Sequence, residues 1–187
     1  MKKRNIAVLF TFILILFTFC TASQAVNLTL NNTPAQVYFS PKGGCTDAIV
    51  KQIDSATMEV LVQAYSFTSA PIAKALVNAK KRAINVEVIV DKSQRKEPKK
   101  QGASYTSATF LANMGIPTYI DDAHSIAHTK LIIVDKQIVI TGSFNFSKAA
   151  EKNAENLLIL KNPELAGIYI DNWQKHKTHS EKMVPRY

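Results

Sequence analysis

An α/β fold, with a mixed, mostly parallel β-sheet between helices on both faces, is predicted by three observations. Apolar runs of strand length alternate with segments of helical period through the first half of the chain, as strands joined by crossover helices do. Val60, Leu61 and Val62 form an unbroken apolar run, which suits a strand buried on both faces. From His128 to Asn145, two further apolar runs flank a short polar pair, the pattern of two strands joined by a tight turn.

In chain order, residues 1–25 read as an export signal, with a basic start at Lys2, Lys3 and Arg4, an apolar stretch Ile6–Phe19 and small residues before a cut after Ala25. The apolar stretch falls short of the roughly 20 residues that a spanning helix needs. Residues 26–187 then form a single domain, exported to the periplasm or beyond, or held at the membrane if the signal stays on. The whole chain carries a formal charge of +9, and loss of the three basic signal residues leaves +6. That balance suits polyanionic partners, either nucleic acid or anionic lipid headgroups. Cys20 leaves with the signal, so Cys45 stands alone, which excludes an intrachain disulfide and a cysteine zinc site.

Residues 26–34 read as a lead-in of low order. Gln36–Phe39 is the first expected strand, with its turn at Ser40–Gly44. A helix over 46–55 carries Ile49, Val50 and Ile53 on one side, and a strand follows at Met58–Ala64. Ser69 is placed to cap a helix through Arg82, whose stripe of Ile72, Ala73, Leu76, Val77 and Ala79 is core. A third strand, Asn85–Val90, ends at Asp91. Residues 91–104 form a basic loop in which Lys92, Arg95, Lys96, Lys99 and Lys100 are expected to track phosphates. A short helix over 106–114, ended by Gly115, leads to a short strand Thr118–Ile120. Asn156–Leu160 is a later strand. Asn162 caps a last helix with Pro163 at its first position, and Leu165, Ile168, Tyr169 and Trp173 form its inner face.

The chemistry concentrates between His128 and Asn145. His128 and Lys130 are two apart, so on a strand they share a face. Asp135 and Lys136 make the turn, and Asp135, at an odd offset from His128, faces away and reads as a structural residue. Ser143 and Asn145 repeat the i, i+2 relation after Gly142, which has no side chain to block close approach. An imidazole that can attack phosphorus, an ammonium, and hydroxyl and amide donors suit a phosphodiester. Asp121, Asp122, His124 and His128 could be taken for a metal cluster, but the residues that follow His128 demand a strand, not the helix that would align His124 with it. No metal is therefore expected. His176 and His179, among Lys175, Lys177 and Lys182, read as surface residues.

The pattern His128-x-Lys130-x4-Asp135-x6-Gly142-Ser143-x-Asn145 resembles the signature of the phospholipase D superfamily. Tyr65-Ser-Phe-Thr68, the segment around Ala75-Leu76 and Ala79–Arg82, and Phe144–Ala150 further resemble its small bacterial secreted or periplasmic endonucleases, over roughly residues 28–178. The resemblance implies a phosphodiesterase that needs no metal or other cofactor and forms a phosphohistidine at His128. Lys130 would hold the phosphate, Ser143 and Asn145 would bind and position its oxygens, and Glu155 would orient the histidine. DNA, and RNA beside it, is the implied substrate, with a phospholipase or phosphatidyl-transferase as the alternative. Because the chain holds one copy of a motif that other members hold twice, it also implies a homodimer with the site at its twofold axis.

Overall fold

The computed structural model describes residues 25–95 and 106–185. The expected signal, but for Ala25, and Lys96, Lys99 and Lys100 of the basic loop lie outside these residues. Among the described residues no helix is long and apolar enough to cross a membrane.

The elements follow in the order β1 (Ala35–Ser40), α1 (Cys45–Asp54), β2 (Glu59–Ala64), α2 (Ala70–Lys81), β3 (Asn85–Asp91), α3 (Ser107–Asn113) and β4 (Thr118–Asp121). After them come β5 (Lys130–Val134), β6 (Ile138–Gly142), β7 (Glu155–Lys161), α4 (Pro163–His179) and the two-residue β8 (Glu181–Lys182). All eight strands join one sheet in the order β1-β7-β6-β5-β2-β3-β4-β8. The mixed sheet between helices is as expected, but only β2 with β3 and β3 with β4 run parallel. The other five pairings are antiparallel, which corrects the expectation of a mostly parallel sheet. The alternation of strand and helix gives parallel pairing only over β2, β3 and β4, whereas β5 and β6 are joined by a tight turn that reverses direction and β1 pairs with the distant β7.

Helices α1, α2 and α3 cover one face, where Ile49, Ile53, Ile72, Leu76 and Leu111 pack on Val60, Val62, Val88 and Ile132. Helix α4 covers the other, setting Ala166 and Trp173 against Leu61, Ile89, Leu131, Ile133 and Val139. Trp173 is fully buried and its indole N–H donates to the Val62 carbonyl at 3.0 Å, so its polar edge is satisfied. The inner face of α4 carries Ile170 where Ile168 was expected. Positions 166, 170 and 173 follow the i, i+4, i+7 stripe more closely than 168 does. Asn162 caps this helix, its Oδ1 accepting from the Leu165 N–H at 2.9 Å. Ser69 precedes α2, but its hydroxyl makes no capping bond.

The turn between β5 and β6 shows why an acidic residue sits there. Asp135 and Lys136 both have positive φ, 52° and 57°, as the central residues of a type I′ turn do. The Asp135 carboxylate reaches back to the start of β2, accepting from the N–H and hydroxyl of Thr57 and from the N–H groups of Met58 and Glu59, at 2.8 to 3.0 Å. Burial alone would push this carboxyl up, but these donors outweigh it and hold the pKa below its ordinary value. A depressed folded-state pKa gives stability that is present above the ordinary carboxylate range and lost as pH falls through it. Asp135→Ala should therefore cost about 2–3 kcal/mol at neutral pH, lowering Tm by roughly 5–10 °C. The gap between variant and wild type should shrink on acidification to about pH 3. A thermal melt series over pH checks both, and a gap independent of pH would deny the carboxylate its role.

Candidate active site

The site forms where four strand ends converge. β5 runs antiparallel to both of its neighbours, so its start lies beside the ends of β2 and β6, and the start of β7 adjoins the end of β6. Ala64 pairs with Lys130, Leu131 with Thr141, and Gly142 with Leu157. The strand proper begins at Lys130, and His128 stands just before it, in a segment held by the Tyr65 N–H donating to the Thr129 carbonyl at 2.9 Å.

Beyond β6 the chain alternates. Phe144 and Phe146 are fully buried in the core, with Phe146 edge-on to Phe67 at 6.3 Å, which leaves Ser143 and Asn145 on the opposite side. Gly142 cannot be replaced without movement. Its φ is +149°, and a Cβ there would lie 2.4 Å from the Asn156 carbonyl oxygen. The backbone of β7 can therefore close against the motif only at a glycine.

His128, Lys130, Ser143, Asn145 and Glu155 together line a cleft of about 520 Å³, with Thr129, Thr141, Gly142 and Tyr169 completing its wall. His128 is exposed and its ring leans on Tyr65, with centroids 4.5 Å apart. Lys130 is only 6% exposed. Its Nζ donates to the His128 carbonyl at 2.7 Å, lies 2.9 and 3.1 Å from the two imidazole nitrogens, and sits 5.0 Å above the Tyr65 ring. Burial lowers the Lys130 pKa, and the negative charge of Glu155 opposes that shift. A phosphate beside this amine would favour its charged form, against the effect of burial.

The Ser143 hydroxyl accepts from the Asn156 N–H at 3.0 Å, so its own proton remains free to donate into the cleft. The Asn145 amide oxygen is buried with no hydrogen-bond partner, an unspent polar group at the floor of the site. Glu155 lines the same cleft as His128. Within one chain it accepts from the Asn153 amide at 3.2 Å, no bond to His128 forms, and its influence falls on Lys130. Sequence reading missed Tyr169, taken only as helix core, and gave Tyr65 no role beyond the resemblance. An aromatic at a strand end signals nothing until its neighbour across the sheet is known.

The approach to His128 is fixed by residues from the end of β3. Asp91 accepts from the Ala127 N–H at 2.7 Å and from the Ser93 N–H at 2.8 Å. Lys92 donates to the His124 carbonyl at 2.8 Å. Arg95 pairs with Asp122 at 3.3 Å and with Glu181 at 2.7 Å. Lys92 and Arg95, expected to track phosphates, are thus tied to their own chain. His176 and His179 are not plain surface residues either, since both turn toward Asp121.

Residues 49–177 match the family model described as cardiolipin synthase, PLD-like domain. The chain belongs to the phospholipase D superfamily. It is 40% identical over 149 residues to a phospholipase D of Rickettsia conorii, spanning 79% of this chain and 72% of that relative. The crystal structure of Nuc from Salmonella typhimurium, a phospholipase D family member, superposes with a TM-score of 0.73 at 39% identity, covering 81% of this chain and 99% of Nuc. A mitochondrial cardiolipin hydrolase of Canis lupus familiaris is 23% identical over 157 residues, spanning 78% of this chain and 59% of that relative. This superfamily member is accordingly a phosphodiesterase, and the single His-Lys-Asp motif read from its sequence lies wholly within the matched region.

Proposed function

We propose that this phosphodiesterase hydrolyses nucleic acid, DNA and also RNA, through a phosphohistidine at His128. The observation that carries the reading is the cleft wall, which among the described residues offers hydroxyls, an amide, an ammonium, an imidazole, the Glu155 carboxylate and one tyrosine but no aliphatic side chain against which acyl chains could lie. His128 forms a bond to phosphorus as the bond to one ester oxygen breaks, and a second imidazole gives that oxygen its proton. Water, giving up its proton to the same imidazole, then breaks the phosphorus–nitrogen bond and frees His128. Lys130, Ser143 and Asn145 hold the non-bridging oxygens as charge develops on them. Gly142 and Asp135 support the motif from the backbone side.

One chain provides one motif, so the second imidazole is assigned to a second copy of the chain, with the two clefts facing each other across a twofold axis. The exposure of His128 supports this arrangement, since it leaves the residue accessible to a second chain. Lys96, Lys99 and Lys100 are proposed to track the phosphate backbone outside the cleft. Residues 1–25 are proposed to direct export and then to be removed.

A lipid reading is favoured by two observations: the relatives named phospholipase D and cardiolipin hydrolase, and Ile126, 57% exposed two residues before His128. The deciding experiment incubates the purified protein with supercoiled plasmid, RNA and phosphatidylcholine vesicles, each with and without EDTA. Cleavage of plasmid and RNA at rates that EDTA leaves within about twofold is expected, with headgroup release at least tenfold slower. Faster headgroup release would install the lipid reading, and hydrolysis abolished by EDTA and restored by a divalent ion would overturn the metal-free chemistry.

A further inference from the structure

On the far side of the segment that leads to His128, four metal-ligating groups from three parts of the chain meet at one point. Asp121 ends β4, His124 lies in the loop that follows, and His176 and His179 stand three apart in the last turns of α4. One ligand atom from each lies within 4.8 Å of all the others. Asp121 is fully buried, with His124 Nδ1 at 2.9 Å, His176 Nδ1 at 2.8 Å and His179 Nε2 at 3.5 Å from its carboxylate oxygens. The three imidazole centroids are 4.8, 5.0 and 5.3 Å apart. Satisfying one buried carboxylate requires fewer donors than this, and two of the rings already bond to it.

We propose that Asp121, His124, His176 and His179 form a zinc site, separate from the phosphodiester cleft. Three imidazoles and one carboxylate are the donor set of a borderline divalent transition ion, whereas magnesium and calcium seek oxygens. Four ligands complete a tetrahedral zinc shell, with bonds of about 2.0–2.2 Å that bring the donors to roughly 3.4 Å from one another. The imidazoles have room to make that adjustment. The side chains of His124, His179 and His176 are 44%, 36% and 19% exposed, so an ion enters from solvent and meets the buried carboxylate last. Zinc takes the place of the ring protons that face Asp121, each neutral imidazole carrying its proton on the other nitrogen. The bound ion would join the end of α4 to the loop 122–129, which Asp91 and Lys92 already anchor without it, so hydrolysis stays insensitive to EDTA.

The test is zinc titration of the purified protein, without a polyhistidine tag, by calorimetry and by metal analysis after dialysis. One zinc per chain is expected, with a rise in Tm of roughly 5–10 °C at zinc a hundredfold above Kd and no comparable effect from calcium or magnesium. His176→Ala/His179→Ala should lose the zinc. His124→Gln, a change at an exposed side chain that keeps the fold, should weaken it by at least about 100-fold. His128→Ala, which disables the proposed hydrolysis, should bind zinc as wild type does, so this site stands or falls independently of the proposed reaction. Zinc uptake below a tenth of an equivalent, or uptake unchanged in His124→Gln, would overturn the assignment.

Discussion

His128→Ala is expected to lower the rate of phosphodiester hydrolysis by at least about 10⁴-fold while leaving the fold in place. If His128 forms the covalent intermediate, its removal takes away the reaction path and leaves only the electrostatic help of Lys130, Ser143 and Asn145. Four decades correspond to about 5.4 kcal/mol of lost transition-state stabilisation. The same change should move stability by only about 0.5 kcal/mol, because the ring is exposed and packs mainly on Tyr65. Rapid quenching of the wild type with a ³²P-labelled substrate should leave acid-labile label on the protein, absent from the variant. Activity within tenfold of wild type, or label that persists in the variant, would place the nucleophile elsewhere.

Mixtures of wild-type and His128→Ala chains should show activity that follows the square of the wild-type fraction. The proposed site needs a nucleophile and an acid, one imidazole from each of two chains, so a mixed dimer lacks one of them. In the proposed dimer the facing clefts would place Lys130 and His128 of both copies around one phosphate, and their charge would stabilise the transition state only when all are present. The measurement is hydrolysis after co-refolding at varied ratios and fixed total protein, with sedimentation to give the mass. At a wild-type fraction of one half, about a quarter of full activity is expected, against one half if each chain is complete by itself. A linear dependence with a monomeric mass would remove the dimer and make a second group in the same chain the acid. His124 is then a poor candidate, because its ring is turned toward Asp121 and His176.

Local pattern accounts for much of the fold. The expected strands and helices over 36–90 and 106–160 coincide with the observed elements to within about one or two residues, because side-chain period and turn residues are properties of a few neighbours. The set His128, Lys130, Ser143 and Asn145 was legible for the same reason, since the members of each pair stand two positions apart and alternation alone sends both to one side. Asp135 was readable as a turn residue, but its bonds to residues 57–59 were not, since they span 76 to 78 positions. Glu155 was legible only through the resemblance; that its charge acts on Lys130 depends on the start of β7 lying beside the end of β6.

Short-range spacing and residue type carry the kind of fold, the position of its elements and the chemical identity of the motif. Tertiary structure alone decided that β5 lies antiparallel beside β2, and so that Tyr65 meets His128. Tertiary structure also decided that α4 brings His176 back, 55 positions along the chain, to a carboxylate on β4. Strand direction and helix placement depend on which apolar faces bury each other across the whole chain, and no local period encodes that choice.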